Sequence, residues 1–259
     1  MDKNIKVGLA LGSGAAKGLA HIGVLKVLVR EKIPIHLLTG SSIGSLIGAL
    51  FAAGADLNML EKLSCSLQQK QLFDLVVPRL GLIKGDKIEA LVRLLTKNMN
   101  FCDLNIPLYV VAVDIEQGKQ VVFEEGPVAE AVRASISIPG VFQPKRLKDR
   151  LYVDGAVLNR VPIKLARQKG AQIVIGVDLK EEPCKRKTKP IQNIFDVILT
   201  SLDLLEANSS INYHALADVM ITPKVTDIGI ADFNKAEECI ALGKEAAELA
   251  LPAIKKLLD

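Results

Sequence analysis

Residues 40–44 read Gly-Ser-Ser-Ile-Gly, a G-x-S-x-G spacing with Ser42 at its centre. In a nucleophile elbow this spacing puts the serine on a tight strand-to-helix turn with its hydroxyl held clear of the backbone. Gly40 and Gly44 are required there because the chain before and after the serine runs too close for side chains. Such a serine attacks a carbonyl carbon. It needs a proton acceptor, and it needs N–H donors for the negative oxygen that develops. The helix expected after Ser42, Ile43 to Ala53, adds its N-terminal N–H groups and the positive end of its dipole.

A second candidate for chemistry is the glycine-rich run Gly12-Ser-Gly-Ala-Ala-Lys-Gly18, set between an apolar strand (Lys6 to Leu11) and a helix (Leu19 to Glu31). Strand, glycine-rich loop and helix together make an anion site, for which three uses compete. As a dinucleotide fingerprint the run misplaces its third glycine, and the next strand ends in Thr39-Gly40 rather than the acid that holds a ribose. As a P-loop it lacks the G-K-[ST] ending, because Lys17 precedes Gly18. As an oxyanion loop it fits best, since N–H groups after the first strand would face an elbow after the second. Lys17 either assists electrostatically or is a solvated loop lysine.

Two acids end strands. Asp154 closes Leu151-Tyr-Val-Asp154 and is followed by Gly155-Ala156; Asp178 closes the strand Ala171 to Asp178. The carboxyl ends of strands are where α/β sheets build sites. Taken alone, Asp154-Gly155 reads first as an ordinary turn. The chain has three histidines. A serine hydrolase triad in the order Ser, Asp, His needs one after the acid, and only His214 qualifies. It falls inside an expected long helix, Ile191 to Ala217. His21 and His36 read as packing or capping residues.

The elements that must position these groups alternate between strand and helix, which argues for an α/β fold with a mostly parallel central sheet flanked by helices. After the elbow come helices at Leu57 to Gln69 and Gly85 to Thr96, separated by an apolar loop, Leu72 to Pro78. A hairpin follows, Leu108 to Asp114 and Lys119 to Glu124, turning at Gln117-Gly118. Pro127 to Ala134 is a helix with proline at its start, and Ser135 to Pro144 reads as a long structured loop. Pro162 to Lys169 is a helix, Glu181 to Lys189 a charged loop, Val219 to Pro223 a last strand and Asn234 to Leu258 one or two terminal helices. With no internal repeat and no linker, residues 1–259 read as one domain. Its motif-bearing core spans about 6–178, and 190–259 supply the terminal helices and last strand.

Composition narrows the function classes. Of 259 residues, 49% are hydrophobic and 24% charged, enough for a sizeable core. A net charge of +4 is too mild to argue for nucleic acid, and 4% aromatics with no Trp supply no stacking platform for single strands. Cys65, Cys102, Cys184 and Cys239 stand far apart, and the acids lack EF-hand spacing. No metal, cofactor or disulfide framework is therefore expected, and a reducing cytosol is the expected setting. No signal peptide is read at the N-terminus. The longest apolar run, Leu46 to Ala55, is too short to span a bilayer, so membrane contact is expected only at the periphery, where the basic loop Glu181 to Lys189 could meet anionic headgroups.

Taken together, the loop, the elbow and Asp154-Gly155-Ala156 resemble the motifs of the patatin-like phospholipase family, in the same order. The surrounding text is similar too: Leu19-Ala-His-Ile-Gly-Val-Leu25 after the loop and Arg133-Ala-Ser-Ile-Ser-Ile-Pro-Gly-Val-Phe142 before the aspartate. Ser13 and Ala15 depart from it, standing where many members carry glycine. The resemblance implies a three-layer α/β/α fold and a lipid acyl hydrolase. It implies Ser42 as nucleophile, Asp154 as general base, and an oxyanion hole drawn from Ser13, Gly14, Ala15, Lys17 and Gly18. The substrate it implies is a lipid or other acyl ester. The scarcity of histidines agrees with a Ser-Asp dyad independently. Two rivals remain at this level: a catalytically weak regulatory or acyl-binding protein of the same fold, and a nucleotide-binding module using Gly12 to Gly18.

Overall fold

The computed structural model describes residues 5–66, 74, 80–179, 194, 197, 198, 200, 201, 204, 215–229 and 231–259. A β-sheet forms the centre, with its first five strands parallel. β1 (Val7–Leu11) lies between β2 (Leu37–Ser41) and β9 (Ile173–Val177). β10 (Val219–Ile221) extends the sheet beyond β9, and β4 (Leu108–Asp114) beyond β2. β5 (Lys119–Phe123), β8 (Arg150–Asp154) and β7 (Lys145–Leu147) are antiparallel additions around β4.

Both faces of the parallel part are covered, and the side chains divide between them by the two-residue period of a strand. Val7, Leu9 and Leu11 enter the larger core with Leu38, Val110, Ile175 and Val177, whereas Ala10, Leu37 and Val174 enter a smaller one on the opposite face. The larger core is roofed by α1 (Ala20–Arg30), α2 (Ile43–Ala52), α5 (Val128–Ser135) and α7 (Ala236–Leu258). The smaller is roofed by α6 (Ile163–Gln168). α1 and α7 cross at a glycine contact: a Cβ on Gly243 would fall 2.0 Å from the Ala20 carbonyl oxygen, and one on Gly23 2.0 Å from that of Ile240. That crossing seats α7 against the glycine-rich loop, where the Cys239 thiol donates to the Lys17 carbonyl across 3.0 Å.

The structure departs from the sequence reading in several places. Residues Ala15–Leu19 form a 3-10 turn ahead of α1, so the glycine-rich run is partly helical rather than a loop throughout. α3 (Leu57–Ser66) and α4 (Asp86–Leu95) correspond to the expected pair of helices. Between them lies the short strand β3 (Gly81–Ile83), which the sequence does not signal. This pairs in parallel with β6 (Gly140–Phe142), inside the segment read as a loop. Three-residue strands carry too little periodicity to be seen in a sequence. Residues 216–218 are turn and bend, so the helix expected to reach Ala217 stops earlier. The terminal segment is a 3-10 turn, Phe233–Lys235, and then one 23-residue helix that continues through Pro252. The charged loop 181–189, His214, most of the expected helix 191–217 and all of the apolar loop 72–78 but Asp74 lie outside the described residues.

Candidate active site

β2 carries the chain into the sheet core and ends at Ser41; the next residue reverses direction. Ser42 holds φ +53° and ψ −127°, a left-handed φ that costs a non-glycine residue energy and survives only where its surroundings enforce it. Hydrogen bonds on both sides of the residue enforce it here. The Ser42 N–H donates to Ser135 Oγ (2.9 Å), while the Ser42 carbonyl accepts from the Ser45 N–H (2.9 Å) and the Ser45 hydroxyl (2.6 Å). The flanking glycines have no room for more: a Cβ on Gly40 would lie 2.6 Å from Ser45 Cα, and one on Gly44 2.2 Å from the Leu11 carbonyl oxygen. The Ser42 hydroxyl caps nothing in α2 and points elsewhere.

It points to Asp154. Ser42 Oγ donates to Asp154 Oδ2 across 2.5 Å, joining residues 112 positions apart. β4 brings them together. Along one edge it pairs first with β2, setting Ser41 opposite Val111, and then with β8, setting Asp154 opposite Ala112. β5 pairs across the whole of this stretch, so it must occupy the other edge, and β8 takes over where β2 ends. Consecutive β4 residues therefore place the end of one strand beside the end of the other. Gly155 permits the contact, since a Cβ there would fall 2.3 Å from the Val111 carbonyl oxygen. Asp154 Oδ1 accepts the Ala156 N–H (2.8 Å), which forms the turn expected of Asp-Gly and leaves Oδ2 for the serine.

Ser42 is 4% exposed and Asp154 3%. Burial pushes the Asp154 carboxyl up from its usual 3.8 to about 7, against the hydrogen bonds from Ser42 and Ala156 and the positive charge of Arg160, all of which hold it down. At neutral pH the group exchanges a proton readily, and in its charged form it can take one from the serine.

The glycine-rich run packs directly on the elbow, where a Cβ on Gly18 would strike the Ile43 side chain at 2.2 Å. Its N–H groups are not equivalent. That of Gly12 donates to the Val177 carbonyl (3.0 Å), that of Ser13 to Arg160 (3.1 Å) and that of Lys17 to Gly14 (3.1 Å). The N–H groups of Gly14 and Ala15 have no protein partner among the described residues. Ala15 stands at φ +48°. Alanine here holds a conformation that glycine would adopt without strain.

The other candidates fall away from this centre. Asp178 forms an ion pair with Arg160 at 3.5 Å and sits beside His21. His21 is fully buried, its Nε2–H donating to the Gly12 carbonyl (2.8 Å), and burial lowers its pKa to about 4. His36 is exposed, just ahead of β2, and its Nδ1 accepts the Val7 N–H. Neither histidine bonds to Ser42 or Asp154. Ser45, Ser135 and Arg160 do not stand out in the sequence, because their contributions depend on which distant backbone atoms they meet. Among the described residues no cluster of His, Cys, Asp and Glu has the makings of a metal site, and no helix is long and apolar enough to cross a membrane.

The family model described as patatin-like phospholipase matches residues 9–167, more than half of the chain and all of the elements above from the glycine-rich loop to Asp154. The chain belongs to the patatin-like phospholipase family. An uncharacterized NTE family protein of Mycobacterium tuberculosis is 38% identical over 177 residues, covering 67% of this chain and 49% of its own length. A second from the same organism is 28% identical over 273 residues, covering 95% and 46%. The chain thus spans about half the length of these relatives. Among solved structures, VipD from Legionella pneumophila superposes with a TM-score of 0.68 at 13% identity, covering 98% of this chain and 67% of VipD. The type III effector protein ExoU superposes at 0.55 and 13% identity, covering 97% of this chain and 53% of ExoU. At such identity these two speak for the fold alone.

Proposed function

We propose that this chain is a serine acyl hydrolase acting on lipid esters through a Ser42-Asp154 dyad. The observation that carries the reading is the 2.5 Å bond from a strained, buried serine to a carboxyl whose pKa is raised to about 7. Asp154 Oδ2 accepts the proton as Ser42 Oγ bonds to the ester carbonyl carbon. The carbonyl oxygen, now negative, lies toward donors still open in the loop, among them the N–H groups of Gly14 and Ala15. Asp154 then returns the proton to the departing alcohol or lysolipid as its C–O bond breaks. Water attacks the acyl-serine with the same carboxylate as base, the proton passes to Ser42 Oγ, and a fatty acid is released. No histidine, metal or cofactor takes part in any step.

Family membership supports a lipid rather than a small soluble ester. Contact with the lipid surface is peripheral in this reading. The test is labelling with a fluorophosphonate probe and a lipid-extract hydrolysis profile read by mass spectrometry, for wild type and Ser42→Ala. Labelling and fatty-acid release in the wild type only is the expected result. A folded Ser42→Ala that hydrolyses esters at the wild-type rate overturns the proposal, and an unlabelled, inactive wild type turns it toward acyl binding without turnover.

A further inference from the structure

We propose that the last turn of α5 and the residues just after it, Arg133 to Ser137, are a positioning device that sets the separation of Ser42 and Asp154; this rests on the dyad reading above. Two residues of that segment each hold the backbone of one dyad member. Ser135 Oγ accepts the Ser42 N–H at 2.9 Å, and the Ser137 carbonyl accepts the Asp154 N–H at 2.9 Å. The serine and the aspartate, far apart in sequence, are thus bridged by Ser135-Ile136-Ser137.

The bridge is anchored at both ends. The Ser135 hydroxyl donates to the Val111 carbonyl (2.6 Å), and Val111 is the β4 residue opposite Ser41. The hydroxyl therefore sits at the seam where β2 gives way to β8. Ser137 Oγ accepts from Arg133 Nη1 (2.6 Å) and donates to the Arg133 carbonyl (2.8 Å). Arg133 is 2% exposed, and its Nη2 donates to the carbonyls of Gln143 (2.8 Å) and Lys84, which flank the β3–β6 pair. Its guanidinium also lies 5.5 Å from the centre of the Phe142 ring. Burial disfavours the charge, and the two carbonyls and the Ser137 hydroxyl offset that cost only while this segment keeps its shape. Ser135 and Ser137 are themselves fully buried, so neither can swing to solvent for a substitute partner.

A hydroxyl used only for packing affects stability alone. One that sets the dyad distance also affects the chemical step and the proton affinity of Asp154, because the Ser42 bond is one of the interactions holding that affinity down.

The experiment compares wild type with Ser135→Ala and with Ser135→Cys, which is nearly isosteric and keeps the fold if alanine does not. Measurements are made on p-nitrophenyl esters below each variant's unfolding transition. The expected result is a loss of roughly 10–100-fold in kcat, from a misplacement of about 1 Å or less, with KM little changed. The rate of fluorophosphonate labelling falls in parallel, and the midpoint of the pH–rate curve moves to higher pH as the Ser42 bond loosens. Wild-type kcat and midpoint in a folded Ser135 variant, with only the melting temperature lowered, overturn the proposal. Ser42→Ala and Asp154→Asn run alongside: activity surviving in them brings down the dyad, whereas their silence with a normal Ser135 variant brings down the positioning role alone.

Discussion

Asp154 divides its carboxylate between two partners, Oδ1 accepting the Ala156 N–H at 2.8 Å and Oδ2 the Ser42 hydroxyl at 2.5 Å. With its pKa raised to about 7, the charged form that can take the serine's proton predominates only above neutrality. The rate of ester hydrolysis should therefore climb as pH rises through about 7 and level off beyond it. A pH–rate curve on an ester whose own hydrolysis is subtracted checks this. A midpoint near 4 would mean that Asp154 behaves as an ordinary solvated carboxylate.

The same burial makes Asp154 a source of instability. The folded protein holds this proton more tightly than the unfolded chain does, so the associated stability is complete below about pH 3.8 and is lost as pH rises through about 7. A rise from 3.8 to about 7 makes that loss about 4 kcal/mol in all. Asp154→Asn cannot ionise and escapes it. The variant should lose roughly 10²–10⁴ in kcat. Its stability in urea should gain on that of the wild type as pH goes from 5 to 8. Parallel curves across that range would show that the carboxylate is not destabilising in the folded state.

Much of this site could be read from local spacing, because the elbow and the Asp-Gly turn are short patterns with steric causes. Asp154 forms the expected turn with one carboxylate oxygen and meets the Ser42 hydroxyl with the other. The contributions of Ser135 and Ser45 were illegible for the opposite reason. A buried serine in a helix end looks the same whether its hydroxyl meets its own helix or, as Ser135 does, a backbone N–H 93 residues away. The parallel order of the first strands followed from alternation with helices. The β3–β6 pair did not, since each strand is three residues long and the Arg133 side chain that bonds the carbonyls just after both comes from a distant part of the chain.

His21 gives a contrasting prediction. Its folded pKa of about 4 lies below the ordinary 6.5, so the unfolded chain takes up the proton first and stability falls as pH drops from 6.5 toward 4. The cost is about 3 kcal/mol at the acid end. His21→Gln retains an N–H able to reach the Gly12 carbonyl and has nothing to protonate. It should be less stable than wild type at pH 7, narrow that gap by pH 4, and turn over esters wherever circular dichroism shows it folded. A folded His21→Gln without activity would bring a histidine base back into consideration.

The last prediction concerns Ala15, whose N–H has no protein partner among the described residues and whose φ of +48° glycine occupies freely. An alanine pays roughly 1–2 kcal/mol in that region, and replacing it by glycine adds roughly 0.5–1 kcal/mol of unfolded-chain entropy to overcome. Ala15→Gly should consequently be neutral or stabilising by up to about 1 kcal/mol, whereas glycine in an ordinary right-handed position is destabilising. Ala15→Val, β-branched and cramped at positive φ, should be destabilising, and if the loop refolds to escape the strain its N–H turns away from the elbow. Urea unfolding and kcat measured on the same preparations separate the two effects. Ala15→Gly with full activity beside a folded Ala15→Val that has lost it would tie activity to the direction of this one N–H. Equal stability in all three proteins would show that the left-handed turn is not held.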